Sequence, residues 1–365
     1  MINGEKLRQA RDICALTQSE LGRRIGANQS SIAYVESGRL SPSAELLNAI
    51  ATETGFPVAF FQEEVDDDFP LGSLLLFRSR ASLTAKQENQ VHQYARVLFQ
   101  CREKLQRHVT SIPLCMPQTE DTPPEEAAQL TRAALGLSPD RPMGDLIRML
   151  ELAGVIVIAL PLAIRGLDAF SLWTMSGEDS RAVIVVLSGS PGDRRRFSVA
   201  HEVGHLVMHR SIRGSIVKIE READLFAGAL LIPGGALRQE LFPPVTLTNL
   251  AALKRRWRVS MQALIMRAFE LGVVSERQKR YLFQQMSARG WRKQEPAALD
   301  VPLERPRALR QMAELVYGAP LDFERLARDV HLPQALVKNA MLAHAAGKPD
   351  GDKVLQFPAT GGPCG

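Results

Sequence analysis

The sequence predicts a mainly α-helical protein with one small β-sheet. Three observations carry that expectation. Short apolar stripes at helical spacing, separated by capping residues and glycines, fill the first sixty positions. The period changes to β-branched runs between 155 and 187. Helical stripes then return and continue to about residue 345. At 365 residues the chain is long enough for two or three domains of about 100–200 residues each. It is 45% hydrophobic and 23% charged, so it builds packed cores and is no disordered polymer. No apolar run approaches the roughly 18 residues of a membrane helix, and the N-terminus lacks a signal-peptide core. Cys14, Cys101, Cys115 and Cys364 contain no CxxC pair, which excludes a disulfide scaffold or cysteine zinc finger and fits a reducing cytoplasm.

The first module, residues 1–62, reads as five short helices. Leu7, Ala10 and Ile13 mark the first stripe. Thr17 and Glu20 form a T-x-x-E capping box that opens a second helix, which buries Leu21 and Ile25 and ends at Gly26. Asn28 is expected to cap a third helix, Gln29 to Glu36, which buries Ile32 and Val35 and stops before Gly38. Ser43 to Thr54 and Pro57 to Phe61 close the core with Leu46, Leu47, Ile50, Phe56 and Phe60. Two short helices across a tight turn are the helix-turn-helix arrangement, whose second helix enters the major groove.

The run Thr17-Gln18-x-Glu20-Leu21…Asn28-Gln29-Ser30-Ser31-Ile32…Glu36-x-Gly38 resembles the Xre/Cro-repressor family over the whole module. That resemblance implies a double-stranded DNA operator as partner. It implies that Gln18 bonds a phosphate and that Gln29 and Ser30 point at base edges. Ala33 and Tyr34 follow one turn on, and Asn28 and Ser31 complete the DNA-facing set. Six basic and six acidic side chains leave the module neutral, a departure from the usual basic footprint. Weak non-specific affinity follows, and with it a homodimer on a two-fold operator. Arg8, Arg11, Arg23, Arg24 and Arg39 are expected to gather on one side. The competing reading is a protein-docking domain with no DNA role.

An acidic run, Glu63-Glu64-Val65-Asp66-Asp67-Asp68, followed by Phe69-Pro70-Leu71-Gly72, reads as a domain exit. With a connector helix over about 82–108 it makes up residues 63–110. Thr122-Pro123-Pro124-Glu125 reads as a second capping box with proline at the first helical position, and its helix ends near Gly136. Another helix spans about Pro142 to Leu152. Val155 to Leu160, Leu167 to Thr174 and Ala182 to Leu187 read as three strands.

The chemistry follows the strands. In His201-Glu202-Val203-Gly204-His205 the two imidazoles stand one helical turn apart, on one face, where neutral nitrogens chelate zinc. Glu202 can reach a water beside the metal as general acid/base. A third ligand is still needed. The metzincin pattern wants histidine where Ser211 stands, so that subclass is rejected. Val217 to Ile232 is a helix with Glu220 and Asp224 one turn apart. Glu220 then ligates, and Asp224 accepts the outer N–H of His201. Gly204, Ala223, Ala227 and Gly228 are small enough to let the two helices approach, and Glu222 is the weaker ligand candidate. His209 is expected to pack or to stabilise the helix C-terminus rather than ligate. The group that stabilises an oxyanion stays unassigned.

These residues, with Arg196-Phe197-Ser198-Val199-Ala200 before them and Ile219-Glu220-x-Glu222-Ala223-Asp224-x-Phe226-Ala227-x-x-Leu230-Leu231-Ile232-Pro233 after, resemble the ImmA/IrrE family of zinc metallopeptidases. The resemblance implies a zincin-like α+β domain over 111–240, zinc on His201, His205 and Glu220, and a partner repressor as the cleaved protein. Residues 241–346 are expected to be a helical extension that buttresses the peptidase domain or forms a dimer surface, and 347–365 a flexible tail. The basic surplus of 250–310, including Lys254, Arg255, Arg256, Arg258, Lys279 and Arg292, reads as a patch for phosphates or an acidic partner, or as solvated helix faces. Three readings stand: a cytoplasmic DNA-binding regulator with a zinc endopeptidase; a DNA-binding regulator or antitoxin whose zinc fold is a non-proteolytic sensor or interaction module; and a hydrolase whose first module only docks a regulator.

Overall fold

Alternation along two strands explains how the molecule is divided. In β1 (Ile156–Leu160) and β3 (Asp179–Leu187) successive side chains point to opposite faces. Ile156, Ile158, Leu160, Val183 and Val185 enter one hydrophobic core, while Val157, Ala159, Ile184 and Val186 enter another. Both faces are covered, so the strands read as continuous apolar runs. β1 pairs parallel with β3, and β2 (Ala169–Ser176) pairs antiparallel with it, giving the order β1-β3-β2. β2 is therefore an edge strand. The structure, a computed structural model, describes residues 2–64, 69, 83–176, 179–210 and 214–345. The acidic run from Val65, the Pro70-Leu71-Gly72 exit, Ser211 and the tail from 347 lie outside the described residues.

On the first face of the sheet stand the N-terminal helices α1 (Gly4–Ile13), α2 (Gln18–Ile25), α3 (Gln29–Glu36) and α4 (Ala44–Thr54), followed by a 3-10 turn (Val58–Gln62) where a fifth helix was expected. The Thr17 capping box forms: Glu20 N donates to Thr17 Oγ1 at 3.1 Å and Thr17 N to Glu20 Oε2 at 2.7 Å. Asn28 occupies the cap of α3 but, contrary to expectation, its side chain makes no capping bond. Its carbonyl takes the amides of Ser31 and Ile32 instead. α5 (Ala85–Gln106) buries Val91, Val97, Leu98 and Phe99 and lies between α1 and the sheet. Gln9–Gln93, Glu5–Arg96 and the carbonyl of Ile13 with Gln90 tie α1 to it at 3.2, 2.9 and 3.0 Å.

The second face carries the rest. α6 (Pro124–Ala134) has proline at its first position but no side-chain cap, so the expected Thr122 box is absent. Glu125 turns instead to Arg267, 2.6 and 2.7 Å away. α7 (Leu146–Leu152) starts later than expected because Asp145 caps it, accepting from Arg148 N at 3.0 Å. α8 (Gly192–Met208), α9 (Ile216–Leu231) and α10 (Gly234–Glu240) follow. The helical extension is α11 (Leu247–Trp257), α12 (Met261–Glu270), α13 (Glu276–Ala288), α14 (Ala308–Tyr317), α15 (Phe323–Val330) and α16 (Gln334–Ala343), the last three returning to the first face. Lys254 is no surface cation: it is buried and paired with Asp193 and Glu295. No helix among the described residues is long and apolar enough to cross a membrane.

Candidate metal centre

α8 lies against β2 and β3 and is buried almost all round, with Val199, Ala200, Val203 and Val207 inward. Two cations near its start are buried: Arg195 donates to the carbonyl of Leu187, and Arg196 is held by Glu304 and by the carbonyls of Met143 and Gly144 at 2.7 and 2.6 Å. α9 is capped by Ser215, which accepts from Lys218 N at 3.3 Å, and buries Ile219, Ala223, Phe226, Ala227 and Leu230. The two helices meet at Gly204, where a Cβ would lie 3.0 Å from Phe226 Cδ1 and 3.3 Å from Ala223 Cα. Gly228 serves another contact, with its Cβ position 3.4 Å from Arg267 Cδ on α12.

This approach brings three donors together. His201 Nε2 and His205 Nε2 are 2.8 Å apart, and Glu220 Oε2 and Oε1 lie 3.6 and 3.4 Å from them. One ligand atom from each residue lies within 4.8 Å of the others. Asp224 Oδ1 stands 2.8 Å from His201 Nδ1, as the spacing on α9 predicts. A carboxylate there accepts the Nδ1 proton and leaves the Nε2 lone pair free. Two imidazole lone pairs beside a carboxylate repel one another unless they share a cation. The donor set therefore fits a divalent metal, with the three protein ligands that catalytic sites supply. The site is enclosed: His201 is 0% and His205 6% exposed, and Glu220 16%.

Glu202, one residue round from the ligands, is held from the sheet. Ser171 Oγ on β2 donates to Glu202 Oε2 at 2.7 Å and lies 3.3 Å from its carbonyl. Sequence reasoning missed Ser171; its only signal is its place at an inward position of a strand that precedes the metal helix. His209 caps the end of α8 and meets the outer nitrogen of His205, not the one that faces the other donors, with the two Nδ1 atoms 3.2 Å apart. Burial pushes the His209 imidazolium below the usual histidine range, and Glu222, 3.1 Å away, opposes that. Beyond Asp224 a cleft of about 940 Å³ opens, lined in part by Phe197, Ser198, Met266, Trp291 and Lys293, which the sequence did not foretell.

The expected DNA-facing residues lie at the cap of α3 (Asn28), along that helix (Gln29, Ser30, Ser31 and Tyr34) and at the start of α2 (Gln18). Asn28, Gln29, Ser30 and Tyr34 are exposed and Ser31 is half-buried. Gln29 Nε2 donates to Gln18 Oε1 at 2.7 Å, and Gln18 Nε2 to Glu36 Oε2 at 2.8 Å. Arg11, expected on the cationic surface, is buried and grips Glu36 at 2.5 and 3.0 Å.

A helical reader of the helix-turn-helix type thus stands in one chain with a two-histidine, one-glutamate centre. Residues 4–60 match the family described as a helix-turn-helix domain, and residues 150–269 match the peptidase family described as the IrrE N-terminal-like domain. The chain joins these two domains. No curated protein matches it. Among solved structures, the crystal structure of Bacillus thuringiensis PlcR in complex with the peptide PapR7 and DNA is similar over 93% of this chain and 91% of that one, at 12% identity and a TM-score of 0.16.

Proposed function

We propose that the chain is a cytoplasmic, homodimeric transcription regulator. It binds an operator through α3 and hydrolyses a peptide bond in a regulatory protein, a repressor by class, at a zinc site of His201, His205 and Glu220. The observation that carries this reading is the convergence of those three donors beside a carboxylate, Glu202, that is held by Ser171. When bound, zinc would supply Lewis-acid chemistry that acidifies water and polarises a scissile carbonyl. Asp224 orients His201, and Glu202, with Oε2 taken by Ser171, has Oε1 to accept a proton from the attacking water and return it to the leaving amine. Gln29 offers a donor and an acceptor together, which suits an adenine edge, while Gln18 braces it.

The enclosure of the donors favours a second reading, in which the same zinc-holding domain is a non-proteolytic sensor. One experiment separates the two. Zinc content and target-gene expression are compared between the wild-type chain and Glu202→Gln. Under the peptidase reading the variant keeps its metal but loses both the switch in expression and the new N-terminus on the target. Retained metal with unchanged regulation leaves only the sensor reading. For the DNA arm, Gln29→Ala is expected to weaken binding to a selected operator by about 1–3 kcal/mol; no loss on any bound sequence would favour a docking module.

A further inference from the structure

α9 carries three acids at alternate positions, Glu220, Glu222 and Asp224, and each faces a histidine on α8 or at its end. Glu220 faces both imidazoles and Asp224 accepts from the outer nitrogen of His201. Glu222 does not reach the donor cluster. Its Oε2 lies 3.1 Å from His209 Nε2, and His209 Nδ1 lies 3.2 Å from His205 Nδ1. His209 is nearly buried, with its side chain 7% exposed, and Glu222 is 28% exposed.

With His205 Nε2 kept bare for a metal, one proton arrangement fits the contacts behind it. His205 must keep Nε2 bare to face the donor cluster, so its proton sits on Nδ1 and is donated to His209 Nδ1. His209 then carries its own proton on Nε2 and donates it to Glu222. A residue that only filled space or faced the helix dipole would need neither the nitrogen-to-nitrogen contact nor a carboxylate behind it.

Resting on the zinc reading, we propose that His209 is a positioning residue which, backed by Glu222, fixes the tautomer and tilt of His205. Glu222–His209 does for the second ligand what Asp224 does for the first. The site thereby draws on one helix for a ligand and for both outer braces. Outer partners of this kind are worth about 10–100-fold in metal affinity.

The test uses the full chain, with Zn²⁺ affinity read by competition against a chromophoric chelator and Co²⁺ loading read by its visible spectrum. His209→Ala is expected to weaken Zn²⁺ binding about 10–100-fold and to shift the Co²⁺ bands. His209→Asn, whose side-chain oxygen falls near the place of Nδ1, restores most of the affinity. Glu222→Ala weakens binding and Glu222→Gln, still an acceptor, does not, while neither changes the melting temperature of the metal-free chain. If His209→Ala does not fold, the Glu222 pair decides alone. The proposal is overturned if both alanine variants hold Zn²⁺ like wild type while Asp224→Ala does not, or if asparagine fails to rescue a folded His209→Ala. Wild-type chain that holds no Zn²⁺, or holds it equally well after His201→Ala, would overturn the zinc reading along with it.

Discussion

Under the peptidase reading, Ser171 and Glu202 form the contact on which turnover depends most directly. Glu202 is buried beneath β2, and a buried carboxylate without partners costs several kcal/mol. The Ser171 hydroxyl, at 2.7 Å, both offsets that cost and holds the carboxylate at one angle. Ser171 touches none of the three donors. Ser171→Ala is therefore expected to leave Zn²⁺ affinity unchanged while lowering peptide-bond hydrolysis by about tenfold or more, the size of a misplaced acid/base group. Hydrolysis at the wild-type rate would mean that Glu202 is held adequately by packing alone. Under the operator reading the Gln18–Gln29 pair works by similar logic, since an exposed amide that is braced by a neighbour loses less side-chain freedom when it docks.

At the scale of elements, the α8–α9 contact sets the candidate metal site. Gly204 is tightly packed: its Cβ position already lies 3.3 Å from the Cα of Ala223, one turn from Glu220 on α9. Gly204→Val must push α9 away, and Glu220 with it. Overpacking of this kind costs about 1–3 kcal/mol, visible as a lower unfolding midpoint, and Zn²⁺ affinity falls in parallel. A variant that loses stability but keeps wild-type affinity would place the determinant of the site elsewhere. The features legible in the sequence were those written within one helix or one turn: the Thr17–Glu20 box, the i,i+4 histidines, and the Glu220–Asp224 spacing. What escaped depends on a second element. Glu125 abandons the Thr122 box for Arg267 on α12, Lys254 turns inward to Asp193 and Glu295, and Ser171 meets Glu202 across a strand-to-helix gap. The sequence leaves His209 to packing or to the end of its helix, because Glu222, 3.1 Å away, lies on the next helix.

Across the whole molecule, one buried acid helps to fasten the helical extension to the half that holds the donor cluster. α14 has no side-chain cap of its own. Glu151, from the end of α7, reaches across and accepts from Arg307 N at 3.0 Å and Ala308 N at 3.0 Å. Burial pushes the Glu151 carboxyl up to about 8, against the pull of those two amides; Asp145 adds to the rise and the Arg307 charge opposes it. The sign of the consequence is fixed by linkage. The folded chain holds this proton more tightly than the unfolded chain, whose glutamate titrates near about 4.3. Its contribution to stability is complete below that pH, declines as pH rises through the interval, and is gone above about pH 8. The slope in that window is at most about 1.4 kcal/mol per pH unit. Glu151→Gln keeps an acceptor for the α14 amides and has no proton to lose. In urea unfolding across this range, the wild-type chain is therefore expected to lose stability relative to the glutamine variant as pH rises from about 5 to about 8, with the two curves parallel on either side. Curves that run parallel throughout would mean that Glu151 is already ionised at neutral pH and caps α14 as a carboxylate.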